Sequence, residues 1–397
     1  MSNAQVLEIL VKTAILLGGM ATAGAYLVLL ERKMAAWTQD RLGPNRVGIP
    51  FSRLRLFGLG QPLADGAKIV LKEDFTPRQA DRTLFSLAPA IFLTAGFAAF
   101  AVIPFGSVLP SVSGGDPIRL VVAPGMNVGV IYLFAVSSIA VYGVILGGWA
   151  SNSKYSFLGG LRSSAQLIAY ELPLGLGLLG VVAIAGSLDF DEIIAAQTRA
   201  GWFGLTQPLG FLVFVIAAFA EAARLPFDLP ECEQELVGGY HTEYSGMRLL
   251  MFLMTEFLHL ITAAMLIVIL YLGGWHLPGL TGVSEEVGWF GALLRVFVLT
   301  SKVLMVILFF MLVRWTWPRF RYDQLMALGW KVLLPLGLVN FVAVAVLDQI
   351  QTTWDLRGGW WGAAFAAVSW LVLACSLLAV AVCAPREADN RPRVAGV

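Results

Sequence analysis

Nine apolar stretches punctuate the 397-residue chain, at about 5–30, 84–105, 125–150, 163–186, 205–222, 249–275, 289–314, 330–349 and 360–384. Several reach the ~20 residues that a helix needs to cross a bilayer. Inside hydrocarbon the backbone finds no water, so such stretches must form helices that satisfy their own hydrogen bonds. Composition agrees: 58% of residues are hydrophobic and 13% charged, against roughly 25% charged in a soluble domain. The expected fold is an all-α integral membrane protein, one polytopic domain over 1–384 with about nine transmembrane helices and a polar tail at 385–397. The opening Met1-Ser2-Asn3-Ala4-Gln5 has no basic n-region, and no small-residue cleavage site follows the first stretch. That stretch reads as a retained helix rather than a signal peptide.

Positive charge sets the expected orientation. The loops 31–82, 151–162, 223–248, 314–329 and 385–397 hold 20 of the 27 Lys and Arg residues; the alternate loops hold only Arg119, Arg199 and Arg357. The main loops and the C-terminus are therefore expected in the cytoplasm of a bacterial plasma membrane, with the N-terminus in the periplasm. The periplasmic connections read as ordinary Gly/Pro/Asp linkers. The first and third cytoplasmic loops are long and carry charges of both signs, which favours a functional role.

In the first loop, Gly43-Pro44-Asn45 forces a turn that holds Arg41 and Arg46 near the membrane face. Farther on, Leu63, Ala67, Val70 and Leu71 keep helical spacing while Asp65, Lys68 and Lys72 fall on another face. That pattern predicts an amphipathic helix in the interface; a plain basic anchor to anionic lipid fits it too. The third loop gathers Glu221, Asp228, Glu231, Glu233, Glu235 and Glu243 against Arg224, Arg248 and His241. Crowded carboxylates beside an apolar phase titrate closer to neutrality and are coupled to one another, so they suit proton uptake and release. A solvated acidic face is the bland alternative, disfavoured by the prolines and aromatic residues among the acids.

Glu171, Glu221 and Glu256 belong to the spans. A charged side chain at a helix centre costs ~2.5–3.5 kcal/mol on insertion scales, so such groups are rare and usually functional. Counted from the span starts at ~1.5 Å per residue, Glu171 and Glu256 lie roughly 10–12 Å deep, and the three acids suggest a proton half-channel entered from the cytoplasm. Lys302 is a candidate counter-charge, and His259 a relay or a packing residue. Gly175-Leu176-Gly177-Leu178-Leu179-Gly180 matches the dinucleotide fingerprint as a string but lies inside an apolar span without a βαβ unit. Close helix packing explains it better. Cys232, Cys375 and Cys383 and the three histidines have no metal-ligand spacing, so any redox chemistry must draw electrons from a partner. No nucleic-acid partner is expected.

Long motifs in fixed order resemble those of the membrane H-subunit family of proton-pumping NADH:quinone oxidoreductase, respiratory complex I. They are Glu31-Arg32-Lys33, Arg41-Leu42-Gly43-Pro44-Asn45-Arg46-Val47-Gly48, Gln61-Pro62-Leu63-Ala64-Asp65-Gly66 and Lys72-Glu73 in the first loop. Tyr170-Glu171, Arg224 with Pro226-Phe227-Asp228-Leu229-Pro230-Glu231, and His241-Thr242-Glu243-Tyr244-Ser245-Gly246-Met247 follow, then Pro318-Arg319-Phe320-Arg321-Tyr322-Asp323-Gln324. The resemblance implies a membrane subunit without a redox centre of its own, which forms a quinone tunnel with peripheral iron–sulfur and quinone-site subunits. Ubiquinone or menaquinone is the implied bound substrate, with FMN and iron–sulfur clusters in partner subunits and other membrane-arm subunits alongside. It implies Arg32, Arg41, Arg46 and Asp65 along the tunnel or its mouth. Arg224, Asp228, Glu221, Glu231, Glu233, Glu235 and Glu243 would make its charged floor, with Glu171 and Glu256 continuing a proton path into the membrane.

Three features depart from the family pattern: Cys232 in place of a small residue, a longer link over Ile49 to Gly60, and the ninth span. Two other classes also place acids in membranes. A homologous subunit of a membrane-bound hydrogenase or other non-NADH dehydrogenase would share many of the motifs. An ion-coupled secondary transporter would favour repeated halves, and the sequence has no evident internal repeat.

Overall fold

The computed structural model describes residues 3–48, 57–110, 117–229, 233–281, 288–354 and 359–383. In chain order the helices are α1 (Asn3–Thr38), α2 (Gln61–Leu71), α3 (Arg82–Ala98), α4 (Gly129–Ala150), α5 (Lys154–Ala185), α6 (Phe190–Ala200) and α7 (Phe203–Thr206). Then come α8 (Pro208–Glu221), α9 (Glu233–Leu236), α10 (Gly246–Tyr271), α11 (Trp289–Thr316), α12 (Tyr322–Ala327), α13 (Leu334–Thr353) and α14 (Gly359–Cys383). A π-helical turn, Leu328–Leu333, joins α12 to α13. A two-residue ribbon, β1 (Val108–Leu109) against β2 (Ile118–Arg119), is antiparallel.

Among the described residues eight helices are long and apolar enough to cross a membrane, and α8 is a shorter apolar helix. Its 14 residues rise only about 21 Å, less than the ~30 Å of hydrocarbon. The fifth expected span, 205–222, is thus a broken crossing. Pro208 starts α8 at its first turn and Gln207 is non-helical, so α7 and α8 cannot merge. The most buried span is α10, the central post on which α1, α3, α8 and α11 pack.

Several helix ends differ from the sequence expectation. The first helix runs to Thr38 rather than 30, because Met34, Ala35 and Ala36 favour helix and no breaker precedes Gly43-Pro44. In α5 the start is Lys154 rather than 163, so most of the supposed loop 151–162 is helix. The connection 187–204, expected as a plain linker, holds α6, which buries Phe190, Ile193, Ile194 and Gln197 on one side. Within the fingerprint-like string of α5, Gly177 and Gly180 stand at helix contacts: a Cβ at Gly177 would lie 3.2 Å from the Gly210 carbonyl oxygen.

The first loop is pinned to itself before α2 begins. Gly58 has φ +82°, and a Cβ there would lie 2.2 Å from the Pro44 carbonyl oxygen. Only glycine tolerates that conformation and contact. Lys33 Nζ donates to the Phe57 carbonyl at 2.5 Å, tying the same turn to α1. Leu63, Val70 and Leu71 are exposed on α2, while Asp65 and Ile69 face a cavity against α1 and α10. The apolar stripe of this helix therefore points away from the protein and its mixed edge points in.

Candidate functional site

On α1, Ala21, Ala25, Val28, Arg32 and Ala35 recur at intervals of four and three, so they share one face. The three alanines among them leave a gap to α10, which α2 roofs and the last turn of α11 closes. The gap is a cavity of about 760 Å³ with predominantly apolar walls, within the roughly 300–1,000 Å³ range of ligand sites. Its polar groups are Glu31, Arg32, Gln61, Asp65, Arg224, Glu256 and Arg314.

Two ion-pair groups hold this polar set in place. Glu31, 9% exposed, accepts from Arg224 at 3.1 and 3.2 Å through its two carboxylate oxygens, and also pairs with Arg314. Two guanidiniums on one carboxylate leave a net positive charge. The Arg224 guanidinium also lies 4.3 Å from the centre of the Phe257 ring, where the ring face attracts a cation. Among the described residues Arg224 Nε and Nη2 and Arg314 Nε lie buried without an acceptor. Beside them is a water-sized hollow of about 10 Å³ lined in part by Glu31, Arg224 and Arg314. In the second group Asp65 accepts from Arg32 at 2.5 Å and from Gln61 at 3.2 Å, with Lys68 at 3.6 Å. It too carries more positive than negative charge.

A second, smaller cavity of about 40 Å³ lies deeper, room for on the order of two or three waters. Glu171, Glu221, Glu256, Tyr240, Ser138 and His259 line it. Ser138 donates to Glu171 and Tyr240 donates to Glu256 at 2.8 Å. Tyr240 reaches this depth because the backbone of its turn lies directly on α5: a Cβ at Gly159 would sit 2.6 Å from Tyr240 N. The two cavities share Glu256. His259 packs against Phe92, ring centres 5.4 Å apart, on the wall of the smaller one.

The structure thus brings together Arg32, Asp65, Arg224 and Glu256 in the large cavity and Glu171, Glu221 and Glu256 in the small one. Arg41 and Arg46 are outside both linings; Arg41 is exposed and bonds Gln39. Asp228 lines neither, and its carbonyl accepts from Arg319. Glu235 is exposed and pairs with Arg162 at 2.5 Å. Glu243 is half-buried outside both linings. Glu231 and Cys232 lie outside the described residues, as do the side chain of Glu233, the tail 385–397 and most of the link from Ile49.

Lys302 is not a counter-charge to these acids. Its ammonium donates to the carbonyls of Leu272, Gly274 and His276 at 2.6–3.0 Å, just beyond the C-terminus of α10. That terminus leaves carbonyls without helical donors and bears the negative end of the helix dipole. Leu272 lies roughly 24 Å along the helix from Glu256. Sequence reasoning also left out Glu31, Arg314, Tyr240 and Ser138 as site residues. Arg314 read only as a loop edge, and the one signal for Glu31 was its place in the Glu31-Arg32-Lys33 motif.

Residues 11–345 match the family described as NADH dehydrogenase. The chain is 50% identical over 342 residues to an H-type subunit of NADH-quinone oxidoreductase from Geobacter metallireducens, covering 86% of this chain and 97% of that protein. It is 49% identical over 337 residues to the H-type subunit of NADH-quinone oxidoreductase from Syntrophotalea carbinolica, 85% and 95% of the two lengths. It is 48% identical over 340 residues to NADH-quinone oxidoreductase subunit 8 of Thermus thermophilus, 86% and 87%. The family match ends before α14 begins.

Proposed function

The chain belongs to the NADH dehydrogenase family, among the H-type membrane subunits of NADH-quinone oxidoreductase, and on that premise we propose that its large cavity conducts quinone. In this reading the bilayer supplies ubiquinone or menaquinone, and α1, α2 and α10 guide it toward peripheral subunits that complete the reaction chamber. FMN and iron–sulfur clusters in those partners supply the electrons; this chain has no redox centre of its own. Other membrane-arm subunits take up the proton current. The main loops face the cytoplasm and the N-terminus the periplasm, as the charge bias favours.

The observation that carries the reading is a greasy cavity with a polar set fixed largely by ion pairs, which shares one carboxylate with an acid-lined hollow. The apolar wall suits an isoprenoid tail. The carbonyls of a quinone head accept hydrogen bonds, and Arg32, Arg224 and Arg314 are donors. Paired to Glu31 and Asp65, these guanidiniums keep their geometry while retaining surplus positive charge. Reduction of quinone consumes protons and alters nearby charge, to which Glu256 responds first because it touches both cavities. Glu171 and Glu221 then lie within the same hollow for the next transfer, and Glu231, Glu233, Glu235, Glu243 and Asp228 serve as the proton-collecting acids of the third loop. Arg41 and Arg46 flank the mouth.

Glu31→Gln in the assembled complex tests this. Hydrogen bonds to charged groups contribute ~1.5–3 kcal/mol, so quinone reduction should fall on the order of tenfold to a hundredfold. Electron flow from NADH to a soluble artificial acceptor should persist. Unchanged quinone kinetics would remove the Glu31 cluster from the pathway. Identity over nearly the full length of relatives named for NADH and quinone disfavours the hydrogenase and transporter alternatives.

A further inference from the structure

Met247, Met251 and Met254 follow one another at intervals of four and three along α10, so they share a face, and all three line the large cavity. Opposite stands the small-residue face of α1. Gly24 is buried there, and a Cβ on it would lie 3.0 Å from Met254 Cε and 3.1 Å from its Sδ. The thioether end of Met254 therefore rests in the space a side chain at position 24 would need. On its other flank the Phe257 Cβ lies 3.8 Å from the same point, and the Phe257 ring is held under Arg224. Any group added at Gly24 presses on the Met254 end, and Met254 is itself part of the cavity wall.

We propose that Met254, given clearance by Gly24, sets which quinone tails the cavity admits, with Met247 and Met251 extending the same adjustable wall. This rests on the reading of the cavity as a quinone passage. Methionine is unbranched, has three rotatable side-chain bonds and a polarizable sulfur, and repacks around different shapes at low cost. Methionine-rich surfaces are one way proteins accept several apolar partners. The polar groups are built the other way: Glu31, Arg224, Arg314, Arg32 and Asp65 are locked into ion pairs. The cavity thus divides its work, with a fixed polar set for the head and a deformable wall for the tail. The wall also adjoins the smaller hollow, since Glu256, which lines both cavities, stands two residues after Met254 on α10.

The test uses the assembled complex in native membranes carrying Gly24→Ala, Met254→Ala, the double substitution, or Met254→Leu. KM is measured for two quinones with one headgroup, the first with a long isoprenoid tail and the second with a short linear alkyl chain. One methylene in a tight apolar site is worth on the order of tenfold or more in discrimination. Gly24→Ala should raise the long-to-short KM ratio about tenfold, and Met254→Ala in the same chain should return it to within about twofold of the unmodified protein. Met254→Leu, which keeps volume but loses the flexible thioether, should raise the ratio in the same direction, and it serves if Gly24→Ala does not assemble. Electron flow from NADH to an artificial acceptor reports assembly throughout. A photoreactive quinone separates the two ways of being wrong. Labelling of α1 or α10 with an unchanged KM ratio in every variant overturns the selectivity role alone; labelling of neither helix overturns the passage itself.

Discussion

Glu31 and Arg224 stand 193 positions apart in the chain and meet as a largely buried ion pair at the cavity. Burying one such charge alone is costly, and removing either partner of a buried pair leaves the other uncompensated. Glu31→Gln keeps the shape and one acceptor oxygen while removing the charge, so it probes the ion pair with less disturbance than truncation. The residue types of this cluster are legible in the sequence, because charge beside an apolar run is conspicuous, but the pairing is not, since it depends on a distant turn. At the opposite end of the bundle Asp191 presents a different case. Burial, helped by Asp189 and opposed by Arg119, pushes its carboxyl from 3.8 up to about 6. The folded chain then holds that proton more tightly than the unfolded one, so its stabilising contribution is complete below about pH 3.8 and is lost as pH rises through about 6. Amide exchange in α6, corrected for intrinsic rates, should lose protection across that window. In Asp191→Asn the loss should vanish; an unaltered profile in the variant would assign the effect to another group.

Elements are legible where an apolar run has clear ends and obscure where a helix outgrows the membrane. The first helix and α5 carry polar turns beyond their apolar cores, which hydropathy cannot distinguish from loops. A depth for Glu171 counted from residue 163 therefore misses the nine residues by which α5 starts earlier. The pattern of α2 is readable as amphipathic, yet not which side meets protein, because its inward edge carries Asp65 beside Ile69. The broken fifth crossing bears on α14, the helix beyond the family match. Trp370 Nε1 donates to the Leu205 carbonyl at 3.0 Å, immediately before the break at Gln207. Irregular backbone at membrane depth persists only where protein or water covers it, and α14 packs along α7 and α8. Trp370→Phe should lower stability by about 0.6 kcal/mol and at most about 1.7 kcal/mol, the average and upper value for hydrogen bonds between membrane helices, read as an earlier unfolding midpoint in detergent. An unchanged midpoint would mean that α14 does not brace the break.

At the scale of the molecule, hydropathy conveys the class and the approximate number of crossings, whereas the two cavities exist only once helices far apart in sequence converge. The large one needs α1, α2, α10 and α11 together, and the small one α4, α5, α8 and α10. Lys302 illustrates the limit: sequence makes it a candidate counter-charge to the acids of other spans, but the fold sets it at the far end, where it caps α10. Both cavities instead lie toward the loop-bearing end and meet at Glu256, the residue where the apolar-walled cavity and the acid-lined hollow touch. The most direct check is a density map of the assembled complex saturated with a long-tailed quinone. The account predicts tail density between α1 and α10, passing the Glu31–Arg224–Arg314 cluster. A cavity filled only by lipid acyl chains, with quinone entering by a route that avoids these helices, would contradict it.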